Sequence, residues 1–161
     1  MIRKRIGLLG AGTVGASFMR LFRENAVRIR KDLGIDITLA VVCDKNRQIK
    51  KDVEAVGARF TMQAEDVVDD PSIDVVVELI GGVRPAEELV MRALDNGKDV
   101  VTANKALLAT AGKKIFALAA ERGRSIRFEA SVAGAIPIIK PLVENLAYGD
   151  VRDVYGILNG T

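Results

Sequence analysis

Histidine and tryptophan are absent from the 161 residues, and cysteine occurs once, at position 43. The first absence removes imidazole bases and imidazole metal ligands, and one thiol leaves no usual zinc site. A single cysteine also excludes an internal disulfide and fits a reducing compartment. Aromatic residues make up 4% of the chain, and no basic block is dense enough for a nucleic-acid-binding arm. The net charge of +3 therefore describes a solvated surface with a mild attraction for anionic cofactors and substrates, not for nucleic acid. No apolar run approaches a membrane span. The basic start Met1-Ile-Arg-Lys-Arg5 leads into only a few apolar residues and no cleavage-like segment, so no signal peptide is expected and the cytoplasm is the default.

Apolar residues are plentiful, at 49%, and strand and helix periods alternate along the whole chain. The run Arg5-Ile6-Gly7-Leu8-Leu9 passes directly into Gly10-Ala11-Gly12-Thr13-Val14-Gly15 and then into a long helical pattern. A buried strand, a G-x-G-x-x-G turn and a helix start in that order read as a nucleotide-binding turn. Gly10 allows the tight turn, Gly12 lets the backbone approach a pyrophosphate, and Gly15 lets helix and strand pack closely. The free N–H groups of the helix start, around Thr13 and Val14, then face the phosphates. The helix runs to about Asp32 and stops at Gly34. Asp36 to Asp44 is a β-branched run with the density of a strand buried on both faces, which completes a βαβ unit.

Asp44 ends that strand, where a doubly wound fold places the acid that holds the adenine ribose, though further from the glycines than the usual ~20 residues. A strand-end turn residue or helix cap is the alternative role for such an aspartate. Lys45 and Arg47 follow. The carboxylate disfavours a 2′-phosphate and the two cations suit one, so NAD and NADP both stay open, with a lean to NAD. Cys43 reads as a small buried side chain.

Further along, Gln48 to Val56 suits a short helix, Gly57 to Met62 an extended stretch, and Ala64 to Asp69 a helical turn broken at Pro71. Ile73 to Ile80 is a buried strand that runs into Gly81-Gly82, a pairing that suits close approach of a cofactor at the carboxyl end of a sheet. Glu78 lies inside this run and requires a partner or water. Pro85 opens a helix with Glu87 and Glu88 in its first turn, and Gly97 ends it. Asp99 to Thr102 is a strand that delivers Ala103, Asn104 and Lys105 to the same edge. Gly112 to Arg122 reads as an amphipathic helix stopped by Gly123, and Ser125 to Glu129 as the last parallel strand. Ala130 to Ile136 reads as a loop, Pro137 to about Tyr148 as a helix, and Asp150 to Leu158 as a further strand before the turn Asn159-Gly160-Thr161. Ending on a turn after a strand suggests a piece of a longer protein.

Taken together, the expected fold is α/β, a doubly wound parallel sheet of the Rossmann type over residues 1–149, with 150–161 as the start of a second, missing α+β domain for substrate and dimerisation. Five stretches in order resemble the homoserine dehydrogenase family: Gly10 to Gly15, Val75 to Gly82, Val101 to Leu108, Phe128 to Pro137 and Gly156 to Thr161. The resemblance implies NAD- or NADP-dependent interconversion of L-homoserine and L-aspartate 4-semialdehyde in threonine, methionine and isoleucine biosynthesis. It also implies a homodimer for the full-length protein, with this chain as the cofactor-binding part, inactive alone. Lys105 becomes the first-domain catalytic lysine beside nicotinamide and substrate, its charge stabilising developing alkoxide. Ile80, Gly81, Gly82, Ala103, Asn104 and Lys105 complete the cofactor set begun by the glycine turn, Asp44, Lys45 and Arg47. In the family the segment matching Glu129 to Ile136 holds a monovalent cation, sodium, which would assign the Glu129 carboxylate and the carbonyls of Val132, Gly134 and Ile136; Ala135 stands where the family usually has glycine. The alternatives are a non-catalytic NAD(P)-sensing domain and a related amino-acid dehydrogenase such as aspartate dehydrogenase. An aspartate-semialdehyde dehydrogenase would need a cysteine nucleophile near the nicotinamide, and Cys43 sits at the adenine end.

Overall fold

Parallel pairing needs crossover connections, and the chain supplies a helix or turn between each strand and the next. The computed structural model describes residues 2–134, 136–145, 152–153 and 155–156. Strands β1 (Ile2–Leu9), β2 (Ile35–Cys43), β3 (Arg59–Thr61), β4 (Val75–Glu78), β5 (Asp99–Thr102) and β6 (Ile126–Arg127) form one sheet in the order β3-β2-β1-β4-β5-β6. Every pairing in it is parallel. Helices α1 (Thr13–Leu33), α2 (Lys50–Ala55), α3 (Glu65–Val68), α4 (Ala86–Asp95), α5 (Lys105–Arg122) and α6 (Ile139–Asn145) complete the described structure, with short 3-10 turns at Arg47–Ile49 and Glu129–Ser131.

Successive strand residues face opposite sides of a sheet, so adjacent apolar residues serve two cores. Leu8, Val42 and Val77 join Met19 of α1 and Val53 of α2 on one face. Leu9, Val41 and Val76 join Val67 of α3, Leu94 of α4 and Leu107 and Ile115 of α5 on the other. This two-sided burial explains why the strands read as continuous apolar runs and not as alternating ones. The order reverses between β1 and β4, and there the carboxyl ends of the strands open a crevice. In register, Leu9 lies beside Cys43 on one side and Glu78 on the other, and Glu78 lies beside Thr102.

Several boundaries differ from the sequence expectation. β1 begins at Ile2, because its first half pairs with β2 even where β4 does not reach. β4 covers Val75–Glu78 only, since the chain turns away after Glu78 into Gly81 and Gly82, both at positive φ. α5 starts at Lys105, seven residues before Gly112. The Asn104 side chain accepts the Leu107 N–H and so starts the helix early, while Gly112 is carried through its interior. β6 is two residues long, because Phe128 leaves extended geometry at φ −140°, ψ 21°. α6 starts at Ile139, two residues after Pro137. Of the expected strand from Asp150 to Leu158, Arg152, Asp153, Tyr155 and Gly156 are described and none is in a strand. Ala135, the expected continuation to Tyr148 and the turn Asn159 to Thr161 lie outside the described residues.

Candidate functional site: the carboxyl edge of the sheet

The three glycines of the first turn do three different things. Gly10 adopts φ +90°, and a Cβ there would stand 2.7 Å from the Leu79 carbonyl oxygen. Its N–H donates to the Cys43 carbonyl at 2.9 Å, which pins the turn to β2. A Cβ on Gly15 would stand 2.2 Å from the Gly10 carbonyl oxygen, so α1 can start this close to β1 only with glycine there. At Gly12 an added Cβ would meet nothing within 4 Å. Nothing in the folded chain requires glycine at that position, and the space beside it is open. α1 begins there with no side-chain cap and no acidic residue in its first turn. A 21-residue helix thus presents uncapped N–H groups and the positive end of its dipole to an open face, with Thr13 and Val14 exposed beside it. That is the physical requirement for an anion such as a pyrophosphate.

Asp44 lies at the end of β2 and braces this turn. Its Oδ2 accepts the Ala11 N–H at 2.6 Å, and its Oδ1 accepts the Asn46 N–H at 2.8 Å. Each oxygen retains lone-pair capacity for a ribose hydroxyl. Gly10, Gly12, Asp44, Lys45 and Ile80 line one cleft of about 330 Å³, together with Leu9, Cys43, Met62, Ala64, Leu79, Pro85 and Leu89. Arg47 stands beside it, its Nε 2.8 Å from the Met62 sulfur. Met62 and Ala64 have no motif to mark them; only the β3-β2 adjacency brings the end of β3 to the cleft. Burial, with the charges of Asp44, Glu65 and Asp66, raises the Cys43 thiol to about 11, which leaves it protonated and unreactive near neutrality.

The other half of the edge is organised by Glu78, which is fully buried. Its Oε1 accepts the N–H groups of Ile80 at 2.8 Å and Gly81 at 3.3 Å. Its Oε2 accepts the Thr102 hydroxyl at 2.6 Å, and the Asn104 amide reaches Oε1 at 3.4 Å. Asn104 is 6% exposed, and its amide also donates to the Gly82 carbonyl at 2.6 Å. Ala103 is half-buried, and Lys105 is exposed at the start of α5. Gly81, Gly82 and Lys105 are therefore neighbours at one strand edge, on the β4–β5 side of the crevice.

Glu129 lies apart from that cleft, in the 3-10 turn after β6. Its carboxylate receives three backbone N–H groups at the start of α6, from Ile138 (2.5 Å), Ile139 (2.9 Å) and Lys140 (2.9 Å). Burial pushes this acid up, but those N–H groups and the Lys140 charge outweigh it and hold it below the usual carboxylate range. Val132, Gly134 and Ile136 follow in the same loop, with Ala133 and Gly134 at positive φ. The assigned donor set is oxygen only, the chemistry a hard monovalent cation takes, and Glu129 Oε2, with one N–H, keeps a lone pair for it. A hollow of about 680 Å³ between α5, β6 and α6 adjoins this acid and is lined by Phe116, Ile126, Phe128 and Val143. It is remote from the glycine turn.

A parallel sheet in this order, with a glycine turn and an uncapped helix start at its switch point, defines a dinucleotide-binding unit of the doubly wound α/β class. The family model described as homoserine dehydrogenase, NAD binding domain, matches residues 10–129. Homoserine dehydrogenase of Pseudomonas aeruginosa is 45% identical over 157 residues, covering 98% of this chain and 36% of that protein. The Neisseria gonorrhoeae homoserine dehydrogenase is 44% identical over 156 residues, covering 97% and 36%. The crystal structure of a homoserine dehydrogenase from Thiobacillus denitrificans superposes with a TM-score of 0.81 at 49% identity, covering 91% of this chain and 34% of that one. The chain belongs to the homoserine dehydrogenase family, of which it carries the NAD-binding domain. It spans about 36% of the length of these curated relatives.

Proposed function

We propose that this unit holds NAD or NADP along the carboxyl edge of the sheet and, within a chain of the relatives' full length, serves the interconversion of L-homoserine and L-aspartate 4-semialdehyde. The observation that carries the reading is the shared edge: the open, uncapped helix start at Gly12 follows β1 and Lys105 follows β5, both at the carboxyl edge of the sheet with β4 between them. Bound there, the dinucleotide supplies the hydride acceptor for the alcohol carbon, and the donor in the reverse direction. Gly12, Thr13, Val14 and Gly15 bind the pyrophosphate, with Gly10 setting the turn, and Asp44 takes the adenine ribose. Lys45 and Arg47 flank that ribose and supply the charge that a 2′-phosphate would need. Ile80, Gly81, Gly82, Ala103 and Asn104 form the wall at the nicotinamide end. Lys105 is the catalytic residue of this part of the chain: with substrate bound, its ammonium would hold the substrate oxygen and stabilise negative charge on it.

The remaining ligands for the amino acid come from residues beyond this domain, which runs from 1 to 149, with 150–161 entering the substrate and dimerisation domain. We assign sodium to Glu129 with the carbonyls of Val132, Gly134 and Ile136, on the resemblance and on the hard oxygen donor set. The full-length enzyme is proposed as a cytoplasmic homodimer; the single buried thiol suits a reducing compartment. The experiment is homoserine-dependent reduction of NAD and NADP by the full-length chain, wild type against Lys105→Ala. The expected result is a loss of about 10²-fold or more in kcat. Equal turnover would remove Lys105 from the mechanism, and dinucleotide binding without turnover in both proteins would make this a cofactor sensor.

A further inference from the structure

A carboxylate in a strand otherwise composed of valines is a costly choice. Val75, Val76 and Val77 precede Glu78, and Glu78 is as buried as the two valines beside it in the core. Burying a charge is unfavourable unless its oxygens are well satisfied, and a packed apolar residue is usually at least as stabilising. Stability alone is therefore a poor account of Glu78. Its partners are more informative. All four are donors, two from the loop after β4 and two from the end of β5. Asn104 closes the circuit: its Nδ2 donates to the Gly82 carbonyl while its Oδ1 accepts the Leu107 N–H and starts α5. The Asn104 N–H itself donates to the Thr102 hydroxyl oxygen at 3.0 Å. The residue immediately after Asn104 is Lys105.

We infer that Glu78 is a positioning residue for the nicotinamide end of the site: its buried carboxylate locks the Gly81–Gly82 loop to the Asn104–Lys105 helix start as one unit. This rests on the reading that Lys105 works beside the nicotinamide. Only a carboxylate offers two acceptor oxygens to four donors; glutamine offers one and adds an NH2 group that must face the Thr102 hydroxyl. A loop and a lysine each misplaced by a fraction of an ångström would still permit dinucleotide binding at the glycine turn, where most of the anion-binding groups lie. They would not hold the reacting atoms in line.

The test uses the full-length chain with Glu78→Gln, Thr102→Val and Thr102→Ser. Glu78→Gln and Thr102→Val are each expected to lower kcat per dinucleotide-binding site about tenfold or more while changing the dinucleotide dissociation constant less than about threefold, with Thr102→Ser recovering most of the loss. If kcat per binding site is unchanged in both variants and only the thermal midpoint falls, the residue is structural and the inference is overturned. A second readout needs no turnover. In the 161-residue chain, the emission of saturating NADH reports the surroundings of the nicotinamide, and Glu78→Gln is expected to shift it; identical emission in wild type and variant contradicts the inference. Lys105→Ala, run beside these, tests the underlying reading separately. If it leaves turnover intact, that reading fails, while the NADH emission still decides whether Glu78 shapes the nicotinamide end.

Discussion

Two glycines separated only by Ala11 answer to different constraints, and substitution separates them. Gly10→Ala places a Cβ 2.7 Å from a backbone oxygen at φ +90°, so backbone strain and overlap together are expected to destabilise the fold by about 2–4 kcal/mol. Gly12→Ala meets nothing in the folded chain; its thermal midpoint should stay within the small effect of a surface change, about 0.5 kcal/mol, while dinucleotide affinity falls at least tenfold, by about 1.4 kcal/mol or more. Thermal melts with and without NADH distinguish the two, and a Gly12→Ala protein that binds normally would remove the pyrophosphate from that turn. Asp44→Ala, by freeing the Ala11 N–H and removing the ribose acid, should weaken NAD more than NADP in titrations of both, because the carboxylate that disfavours a 2′-phosphate is gone; an unchanged preference would remove Asp44 from the ribose site. Cys43 offers a further check. Raised from 9.0 to about 11, its thiol presents about 100-fold less thiolate at pH 8 than an ordinary one, so iodoacetamide should label it correspondingly slowly in the folded chain and rapidly in denaturant.

At the scale of elements, α6 starts on Glu129, whose carboxylate takes three of its leading N–H groups. Glu129→Ala should accelerate amide hydrogen exchange at Ile138, Ile139 and Lys140 and leave α4 and α5 unaffected; equal protection in variant and wild type would contradict the capping role. The same elements show what the sequence carried legibly. β2, β4, β5 and the second half of β1 are mainly apolar runs with few competing readings, and the glycine turn follows the first strand directly, so the fold could be read in advance. The start of α5 could not, because it depends on Asn104 accepting a backbone N–H three residues on, so the helix expected from Gly112 begins seven residues earlier and carries that glycine inside it. The place of Met62 was equally hidden: it joins Asp44 and Ile80, both read from the sequence, only once β3, β2, β1 and β4 are laid side by side. Glu78 was visible as an oddity within a valine run, but its four donors come from the loop just after it and from β5, which no local pattern reveals.

For the whole molecule, acid stability follows from carboxyls held below their ordinary values. The Thr61 hydroxyl, helped by Arg59, lowers Asp66; the Ser72 hydroxyl and N–H lower Asp70; and the N–H groups at α6 lower Glu129. A folded-state value below the unfolded one gives stability that is present above the unfolded value and lost as pH falls through the folded one. The thermal midpoint should therefore be flat toward neutrality and decline as pH drops below 4.5 and then 3.8, the ordinary Glu and Asp values; a midpoint that rises on acidification would contradict these assignments. As a cofactor-binding domain spanning about 36% of its relatives' length, the 161-residue chain should bind NADH yet give no homoserine-dependent reduction of NAD. A crystal structure of this chain with NAD bound would show the binding edge itself. The pyrophosphate is expected within hydrogen-bonding distance of the N–H groups at the start of α1, and the nicotinamide between the Gly81–Gly82 loop and Lys105. A pyrophosphate lying away from Gly10 to Gly15, or a Lys105 ammonium turned to bulk solvent with no room beside it for a small aldehyde, would contradict the proposed site.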